Sequence, residues 1–348
     1  MQRESIFVSA IRSFCKMFFA VCGIFLAFIA MTCLYNAIAD TATSPTESKT
    51  TVHYLPDANW KRESSTTSPV ILQLNVHGVI GETKGGIDTK AVQNILLDSR
   101  TGDFKNNRVK GILLHMNTPG GTVVDSDNIY RMLKEYKALY KVPVFAYIDG
   151  LCASGGMYIS CAADQVYAGP ASLIGSVGVV IGPFFNFFDA LSKIGISSKT
   201  ITEGLDKDMM NPFRAWKPNE DASLQAVTAY YYQQFVDIVT SAKPRLNKEK
   251  LIHDYGAKIF DPMTAQEYGY VDFAEASRDT ALLALLKEAG VDPSQTYQVV
   301  ELEPKSEWIK SLFNSQSPLC TGRIEHTIDT GAPQIRDQVA YLYQPMCE

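Results

Sequence analysis

The chain has 348 residues, of which 46% are apolar and 20% charged, and its net charge is −5. This length and composition fit one large α/β domain, or two small ones, with a substantial core. The acidic balance argues against nucleic acid as a partner, because phosphate binding relies on a basic face.

Residues 17–39 form the first recognisable segment, and none of them is charged. As a helix this segment measures about 35 Å and can cross the hydrocarbon core of a lipid bilayer. Basic residues outnumber acidic ones in residues 1–16, which predicts a cytoplasmic amino end and a remainder on the periplasmic side of an inner membrane. Ala37-Ile38-Ala39 resembles a signal-peptidase cleavage site, so a cleaved secretory signal stays open beside a single-pass anchor. Both interpretations export the rest of the chain.

Residues 40–68 are rich in Thr, Ser, Pro and Lys and are predicted to form a linker, and residues 69–302 the folded domain. In chain order, the pattern predicts strand Val70–Val76, helix Thr89–Leu97, strand Val109–Met116, helix Asp125–Leu139, strand Val142–Ile148 and helix Ser154–Ala163. Strands Gln165–Ala168 and Val177–Ile181, helix Pro183–Ile194, strand Ser197–Thr202 and helices Pro218–Ala242, Lys248–Asp254 and Arg278–Ala289 follow. Strands that alternate with helices predict an α/β fold with a mostly parallel sheet and right-handed crossovers.

Residues 303–348 show a weaker pattern and are predicted to extend over the surface or onto a neighbouring protomer. Their two cysteines, Cys320 and Cys347, could pair in an oxidising compartment, and the sequence leaves this open. Cys152 and Cys161 are predicted to be small core residues.

Ser154 lies in Cys152-Ala153-Ser154-Gly155-Gly156, between a predicted strand and a predicted helix. The two glycines permit a tight turn and a close approach of a substrate backbone. A helix amino terminus also offers free N–H groups and the positive end of the helix dipole. The motif therefore indicates a nucleophile, although a serine that caps the helix is the commoner role at such a position.

Gly120-Gly121 follow the predicted strand Val109–Met116 at its carboxyl end, where open α/β sheets bind ligands. Their N–H groups, together with that of Gly155, are predicted to bind the oxyanion of a tetrahedral intermediate. A simple Pro-Gly-Gly turn is the alternative. Two such turns at adjacent strand ends favour a pocket.

A serine hydroxyl is a weak nucleophile until a neighbouring group takes its proton. The five histidines form no Ser-His-Asp arrangement with supporting local context, and His115 is the fallback among them. Lys207 is the preferred base, with Ser176 holding its amine by a hydrogen bond. A lysine in a solvated loop is the alternative.

The surroundings of Lys207 decide between these alternatives. An apolar environment is expected from Met209, Met210 and Phe213, since a lysine acts as a base only in its uncharged form. Asp206 and Asp208 stabilise a charged amine if they face it. We therefore expect the two carboxylates to face elsewhere.

Four motifs, in one order along about residues 70–286, resemble the signal peptide peptidase A family of serine peptidases. They are Asn117-Thr118-Pro119-Gly120-Gly121, Ala153-Ser154-Gly155-Gly156, Gly175-Ser176-Val177-Gly178-Val179, and Lys207-Asp208 with Asn211-Pro212-Phe213-Arg214. Thr118 and Cys152 depart from the residues common in the family. No departure removes a catalytic group.

The resemblance implies a Clp protease/crotonase-like fold, a spiral of ββα units, preceded by one N-terminal transmembrane helix. It implies that Ser154 is the nucleophile, Lys207 the base and Ser176 its support. The implied oxyanion donors are Gly120, Gly121 and Gly155. Members of the family are membrane-associated, need no metal, nucleotide or other cofactor, and cleave signal peptides released after export.

Short members of the family assemble into homo-oligomeric rings whose sites are shared between protomers. By this resemblance Lys207 is expected to serve Ser154 of an adjacent subunit. The hypothesis is a membrane-anchored serine endopeptidase that acts on apolar peptides with a Ser-Lys dyad. An acyl-CoA enzyme of the crotonase type and a non-catalytic membrane scaffold are the alternatives.

Overall fold

The computed structural model describes residues 6–42, 50–82, 85–304 and 340–342. The chain divides into two compact units, Met1–Ser48 and Lys49–Glu348. Cys320 and Cys347, whose pairing the sequence leaves open, lie outside the described residues.

In the first unit, the described residues form one long helix, α1 (Ile6–Ala42), which extends past both ends of the predicted segment. Its stretch Phe14–Cys33 has a mean hydropathy of 2.3. By length and composition this stretch can cross a membrane, and no other described helix meets the same test.

The second unit is a mixed α/β domain. Its strands are β1 (Thr50–Leu55), β2 (Val70–His77), β3 (Val109–Thr118), β4 (Gly120–Thr122), β5 (Val144–Ala153), β6 (Gln165–Ala168), β7 (Leu173–Gly175), β8 (Ile259–Phe260), β9 (Gln298–Pro304) and β10 (Ala340–Leu342). Its helices are α2 (Thr89–Asp98), α3 (Val123–Tyr140), α4 (Gly155–Ser160), α5 (Phe188–Lys193), α6 (Ala222–Ala242), α7 (Lys248–Lys250), α8 (Pro262–Tyr268) and α9 (Arg278–Glu288). Gly102–Phe104 form a 3₁₀ turn and Leu251–Tyr255 a π turn.

The main sheet has the strand order β1-β9-β2-β3-β5-β7-β8, and β6 also pairs with β5. Its centre is parallel: β2 pairs with β9 and β3, and β3 pairs with β5. The two edge strands, β1 and β8, run antiparallel to their neighbours. The predicted α/β class with a mostly parallel sheet is therefore confirmed.

Both faces of the sheet are covered, which explains the almost continuous apolar runs of β2 and β3. Alternate side chains of a strand point to opposite faces. Ile112 and Leu114 pack in the cluster that includes α3 and α4, whereas Leu113 packs with Leu282 and Leu285 of α9. Full burial of an aliphatic side chain contributes about 1.5–3 kcal/mol, so these layers fix the sheet from both sides.

Three parts of the fold differ from the sequence-based expectation. Strand β1 lies within the predicted linker and pairs with β9, more than two hundred residues later in the chain. Strand β5 continues to Ala153 instead of ending at Ile148, so Ser154 follows it directly. Residues 177–181 and 197–202 are not strands, because no described strand lies beside them to complete a hydrogen-bond ladder.

Candidate active site

Ser154 joins β5 to α4 in a backbone conformation that non-glycine residues rarely adopt. Its φ is +54° and its ψ is −115°, and such strain costs on the order of 1–3 kcal/mol. The Ser154 N–H donates to Gly175 O at 3.0 Å, and the Ser154 carbonyl accepts from Tyr158 N at 3.1 Å. These bonds hold the sharp turn on both sides.

The Ser154 side chain does not cap the helix. Although Ser154 occupies the N-cap position of α4, its hydroxyl makes no capping hydrogen bond. The residue is fully buried, and Oγ has no hydrogen-bond partner in the described chain. A buried hydroxyl without a partner is unusual and unfavourable, which indicates a partner that is not among the described residues. The alternative role, a serine side chain that caps the helix, is therefore not found in the structure.

The oxyanion glycines lie beside this turn. A Cβ built on Gly155 would stand 3.3 Å from Gly121 N, so the two glycine backbones are in contact. Gly155 opens α4, and the first N–H groups of a helix have no carbonyl partner within it. A Cβ on Gly121 would overlap Ile80 O at 1.9 Å, so only glycine fits there.

The N–H groups of Gly120 and Gly121 are not equivalent. Gly120 N–H donates to Thr118 Oγ1 at 3.1 Å and is already engaged. Ile80 N donates to Gly120 O and Thr122 N donates to Ile80 O, each at 2.9 Å. Because successive residues of a strand point their N–H and C=O to opposite edges, Gly121 points away from Ile80. Gly121 is therefore the donor of the pair that points to the other edge of β4, the edge that pairs with β10.

Strand β4 is also held from its other end. The Thr122 side chain caps α3 by accepting from Asp125 N at 3.1 Å, and its hydroxyl donates to Asp125 Oδ2 at 2.6 Å. Asp125 in turn accepts from Thr89 N at 3.0 Å. The two contacts, at Ile80 and at α3, fix the position of Gly121 without any sheet partner from the main sheet.

Ser176 lies next to Ser154 through the pairing of neighbouring strands. Ala153 of β5 is opposite Gly175 of β7 in a parallel register, so the two serines each follow one member of a pair. Paired strands lie about 4.8 Å apart. Ser176 is buried, and its N–H donates to Lys258 O at 2.8 Å.

Lys207 is not brought to this group within the chain. The residue is exposed, and no described residue makes an ion pair or a side-chain hydrogen bond with its Nζ. The expected apolar environment is absent in the described chain, since Met209 and Met210 are half-buried and Phe213 is 48% exposed. Lys207 therefore has neither the shielding nor the serine contact that a dyad requires.

Asp208 faces away from Lys207, as expected. Its carboxylate accepts from Arg214 Nε at 2.8 Å, and this hydrogen bond holds the pKa of Asp208 below its ordinary value. Arg214 also pairs with Glu220 at 2.7 Å. The motif residues Asp208 and Arg214 thus fix the turn that presents Lys207.

His115 does not serve as the fallback base. It lies on the α9 face of β3, where His77 Nε2 is 3.1 Å from His115 Nδ1 and Asp149 Oδ2 is 3.3 Å from His115 Nε2. Burial is the main cause that lowers the pKa of both histidines. No described hydrogen bond links this chain of side chains to Ser154.

The two thiols near Ser154 are not competing nucleophiles. Cys152 and Cys161 are buried, as predicted, and burial raises the pKa of each to about 12. The thiolate is the reactive form of cysteine, so both are inert near neutral pH.

An apolar cavity of about 620 Å³ begins one residue after Ser176. Its lining includes Val177, Val179, Phe184, Leu224 and Tyr232. The sequence analysis did not connect the predicted helix Pro218–Ala242, which supplies Leu224 and Tyr232, with this cavity. It also did not predict that Ile80 and the Thr118 hydroxyl contribute to the site. In the sequence, Ile80 is marked only by its place shortly after β2, and Thr118 only by its place before Pro119.

Comparison with known proteins agrees with this geometry. The model of peptidase family S49 matches residues 137–292. The chain is 32% identical over 231 residues to a candidate signal peptide peptidase SppA of Enterococcus faecium, and the match covers 65% of each protein. It is 31% identical over 240 residues to a candidate protease of Synechocystis sp., with 69% of this chain and 84% of the relative covered.

Among solved structures, a ClpP1 mutant from Listeria monocytogenes matches with a TM-score of 0.40 and 16% sequence identity. This match covers 60% of the chain and 94% of ClpP1. The sequence relatives carry the assignment, since the chain spans most of the Synechocystis protein at above 30% identity. The chain therefore belongs to peptidase family S49, and its resemblance to the signal peptide peptidase A family is confirmed.

Proposed function

We propose that the protein is a membrane-anchored serine endopeptidase in which Ser154 attacks the substrate and Lys207 of a neighbouring copy is the base. The observation that carries the proposal is the Ser154 hydroxyl, which is fully buried, unpartnered and held in a strained turn. Strain of this kind persists where the surrounding structure maintains a functional geometry. Gly121 and Gly155 offer the donors that an oxyanion needs at this turn.

In the proposed reaction, the uncharged Lys207 amine takes the Ser154 proton as Oγ bonds to the peptide carbonyl carbon. The N–H groups of Gly121 and Gly155 stabilise the oxyanion. The C–N bond then breaks, and Lys207 returns the proton to the leaving amine. Water, deprotonated by the same amine, attacks the acyl-enzyme ester, the bond from the acyl carbon to Oγ breaks, and the amine returns the proton to Oγ. Ser176 hydrogen-bonds to the amine and keeps it directed at Ser154.

The exposure of Lys207 supports its use in trans. It lies on a segment, residues 180–216, that carries many exposed apolar side chains, and we call this segment the arm. Its exposed large apolar residues include Val180, Phe184, Phe185, Phe187, Phe188, Ile194, Ile196, Ile201, Leu205, Phe213 and Trp216. Apolar surface of this extent favours a protein contact. Docking of the arm on a second copy would exclude water from the amine and favour its uncharged form.

The proposed substrates are extended, apolar peptides near a membrane, such as released signal peptides. The edge of β4 that faces away from Ile80, which pairs with β10 in the structure, suits a peptide backbone that adds as a strand. The cavity after Ser176 suits apolar side chains, and Phe14–Cys33 of α1 suits a bilayer. In this proposal the domain lies outside the cytoplasm, on the periplasmic side, and the protein forms a homo-oligomeric ring.

Mixing two inactive variants tests the shared site. Ser154→Ala and Lys207→Ala should each abolish cleavage of an apolar fluorogenic peptide, and Ser154→Ala should abolish labelling by a serine-reactive phosphonate. When the two variants are co-expressed, Ser154 of one copy meets Lys207 of the other. Cleavage should then return to a measurable fraction of the wild-type rate.

Two outcomes would contradict the proposal. Cleavage by the Ser154→Ala variant would show that Ser154 is not the nucleophile. Co-assembled variants that stay inactive, although each retains the circular dichroism spectrum of the wild type, would exclude a base supplied in trans. Lys193→Ala, also on the arm, is the matched control and should leave cleavage unchanged.

A further inference from the structure

Strand β5 carries an irregularity shortly before the serine turn. In its ladder with β3, Asn117 stands alone against residues 149–151 of β5, and the regular pairing resumes at Thr118 and Cys152. We call residues 149–151 the bulge. Bulges are common next to active sites, where the extra residues redirect the strand. The bulge therefore influences how Ser154, two residues after Cys152, leaves the sheet.

The bulge is also the point at which β5 changes its outer partner. Up to Ile148 the strand pairs with β6, and from Leu151 it pairs with β7. The second pairing ends at Ala153 and Gly175, so the serines that follow these two residues leave neighbouring strands side by side. A slip of one residue in a strand turns every side chain to the other face of the sheet. The relative position of the two serines therefore depends on the bulge.

The side chain of Asn117 binds the backbone of the bulge. Asn117 Oδ1 accepts a hydrogen bond from Leu151 N at 3.1 Å. Gly150, the residue before Leu151, has a φ of +121°, and a Cβ built on it would stand 2.7 Å from the same oxygen. The amide of Asn117 thus packs directly against the bulge, at a position where glycine supplies both the room and the backbone conformation.

Asn117 is bonded to the oxyanion side of the site as well. Its carbonyl oxygen accepts from Gly78 N at 3.1 Å, directly after β2. The next residue, Thr118, donates its hydroxyl to Gly78 O at 2.6 Å and accepts from Gly120 N. Two residues after Gly78, Ile80 binds β4, the strand of the candidate oxyanion donor. Asn117 therefore joins the nucleophile strand, through its side chain, to the segment that holds β4, through its backbone.

We propose that Asn117 is a positioning residue, which holds Ser154 at its working distance from the oxyanion donors through the bulge. This inference rests on the proposed function, since it takes Ser154 as the nucleophile and Gly121 as a donor. A displacement of about 1 Å between reacting groups can slow an enzyme roughly a hundredfold. Because Asn117 acts on the serine and not on the peptide, its removal should lower kcat and leave KM unchanged.

The hydrogen bond to the bulge should contribute little to stability. Asn117 is exposed, so water can replace its side chain as the acceptor for Leu151 N–H. Removal of the side chain should therefore lower the melting temperature by only about 2–4 °C. A residue with a merely structural role would show the opposite pattern, a large loss of stability with unchanged kcat in the molecules that remain folded.

The test compares Asn117→Ala with Asn117→Asp in the full chain. Asn117→Ala removes the acceptor and should lower kcat for an apolar fluorogenic peptide about tenfold, with an unchanged KM. The rate at which a serine-reactive phosphonate labels Ser154 should fall by the same factor. Asn117→Asp keeps an acceptor oxygen at the same place, and its charge stays hydrated at this exposed position, so it should retain most of the wild-type kcat.

Asn247→Ala is the matched control. Asn247 is also exposed, and its Oδ1 accepts a backbone N–H, from Lys250 at 2.9 Å, at the start of α7. The substitution removes the same kind of hydrogen bond outside the site and should leave both kcat and the labelling rate unchanged.

Amide hydrogen exchange separates this inference from the proposed reaction, because it needs no activity. In the Ser154→Ala background, Asn117→Ala should speed the exchange of residues 148–153 and leave that of α2 unchanged. Faster exchange, together with a wild type that neither cleaves peptides nor is labelled at Ser154, would contradict the proposed function and leave the contact between Asn117 and the bulge in place.

Three results would overturn the inference. One is a wild-type kcat in Asn117→Ala. Another is a melting temperature of Asn117→Ala that falls by more than about 10 °C, which would make Asn117 a structural residue. The last is an Asn117→Asp variant that is as slow as Asn117→Ala although both keep the melting temperature of the wild type, since the acceptor oxygen would then not be what matters.

Discussion

Two serines with positive φ define the site at the scale of single residues. Ser154 and Ser176, with φ of +54° and +55°, end neighbouring strands whose last residues are paired. Each turn directs its residue out of the strand at the carboxyl edge of the sheet. Hydrogen bonds from their N–H groups, to Gly175 O and Lys258 O, hold both turns.

Strain at Ser154 gives the first prediction. Ser154→Gly should be about 1 kcal/mol more stable than Ser154→Ala, because glycine adopts positive φ without a steric penalty. Both substitutions remove the unpartnered hydroxyl, and they differ in the buried methyl group of alanine and in the backbone freedom of glycine. Urea unfolding of the two full-length variants in the same detergent measures it. An alanine variant as stable as the glycine variant would show that the turn is unstrained.

The histidine pair gives a prediction about pH. Burial lowers the pKa of His77 and His115 below 6.5 in the folded chain, so both stay neutral where the unfolded chain is protonated. The unfolded state then binds more protons, and stability falls as the pH drops below about 6.5. Replacing both histidines by glutamine should reduce the loss of melting temperature between about pH 7 and about pH 5. An unchanged slope would assign the loss to other groups.

Much of the site could be predicted from residue types and their order. Ser154 lies between a strand and a double glycine, and a second glycine pair follows the neighbouring strand β3. The two motifs lie close together because parallel strands end at the same edge of the sheet. The engagement of Gly120 N–H by Thr118, and the contact of Gly121 with Ile80, could not be predicted. Both depend on turn geometry that carries no compositional signal.

At the scale of elements, long-range pairing decides which segments become strands. β1 alternates polar and apolar residues weakly, and its partner β9 is distant in the chain, so its pattern read as linker. Residues 197–202 have a strand-like composition but pair with no described strand, and they are exposed. Strand propensity alone therefore misassigned both segments.

Arg108 joins elements that the sequence analysis separated. Its buried guanidinium donates to the carbonyls of Ser65 and Ser68, in the predicted linker, and to Gln298 Oε1 of β9 at 2.8 Å. It also donates to Asp103 O. The end of the predicted linker is thus part of the folded domain.

Removal of this side chain should destabilise the domain strongly. Arg108→Met leaves several buried oxygens without donors and should lower the free energy of unfolding by about 2–4 kcal/mol. Arg108→Lys keeps the charge but lacks the planar fork, and should lose roughly half as much. Chemical denaturation of both variants measures the effect. Equal and small losses of the free energy of unfolding in the two variants would mean that water replaces the guanidinium as the donor.

At the scale of the whole molecule, the proposed active unit is larger than one chain. In the proposal, the protomer supplies Ser154 as a nucleophile and, on its arm, Lys207 as a base, and neither side chain has a hydrogen-bond partner among the described residues. Leu205 is 95% exposed and Ile201 is 85% exposed, and both lie shortly before Lys207 in the chain. An arm with this surface is expected to be buried in the assembly.

A charged residue introduced on the arm should disrupt assembly without changing the folding of the protomer. Leu205→Asp should shift the mass measured by light scattering towards the protomer and abolish peptide cleavage, because a buried unpaired carboxylate is strongly unfavourable. The melting temperature of the protomer should not change. Leu97→Asp, at a 60% exposed position of α2, is the control and should keep both mass and activity. An intact assembly in Leu205→Asp would place the interface elsewhere.

The edge pair of β1 with β9 has a consequence for how the domain is connected. Thr50 lies opposite Pro304, so the polypeptide enters and leaves the main sheet at one point. The connection from the apolar helix and the connection to residues 305–348 meet at this point, while Ser154 lies several strands away from it. Lengthening or exchanging the connection that enters at Thr50 should leave the site untouched, which makes this corner of the sheet a suitable place to attach a different anchor.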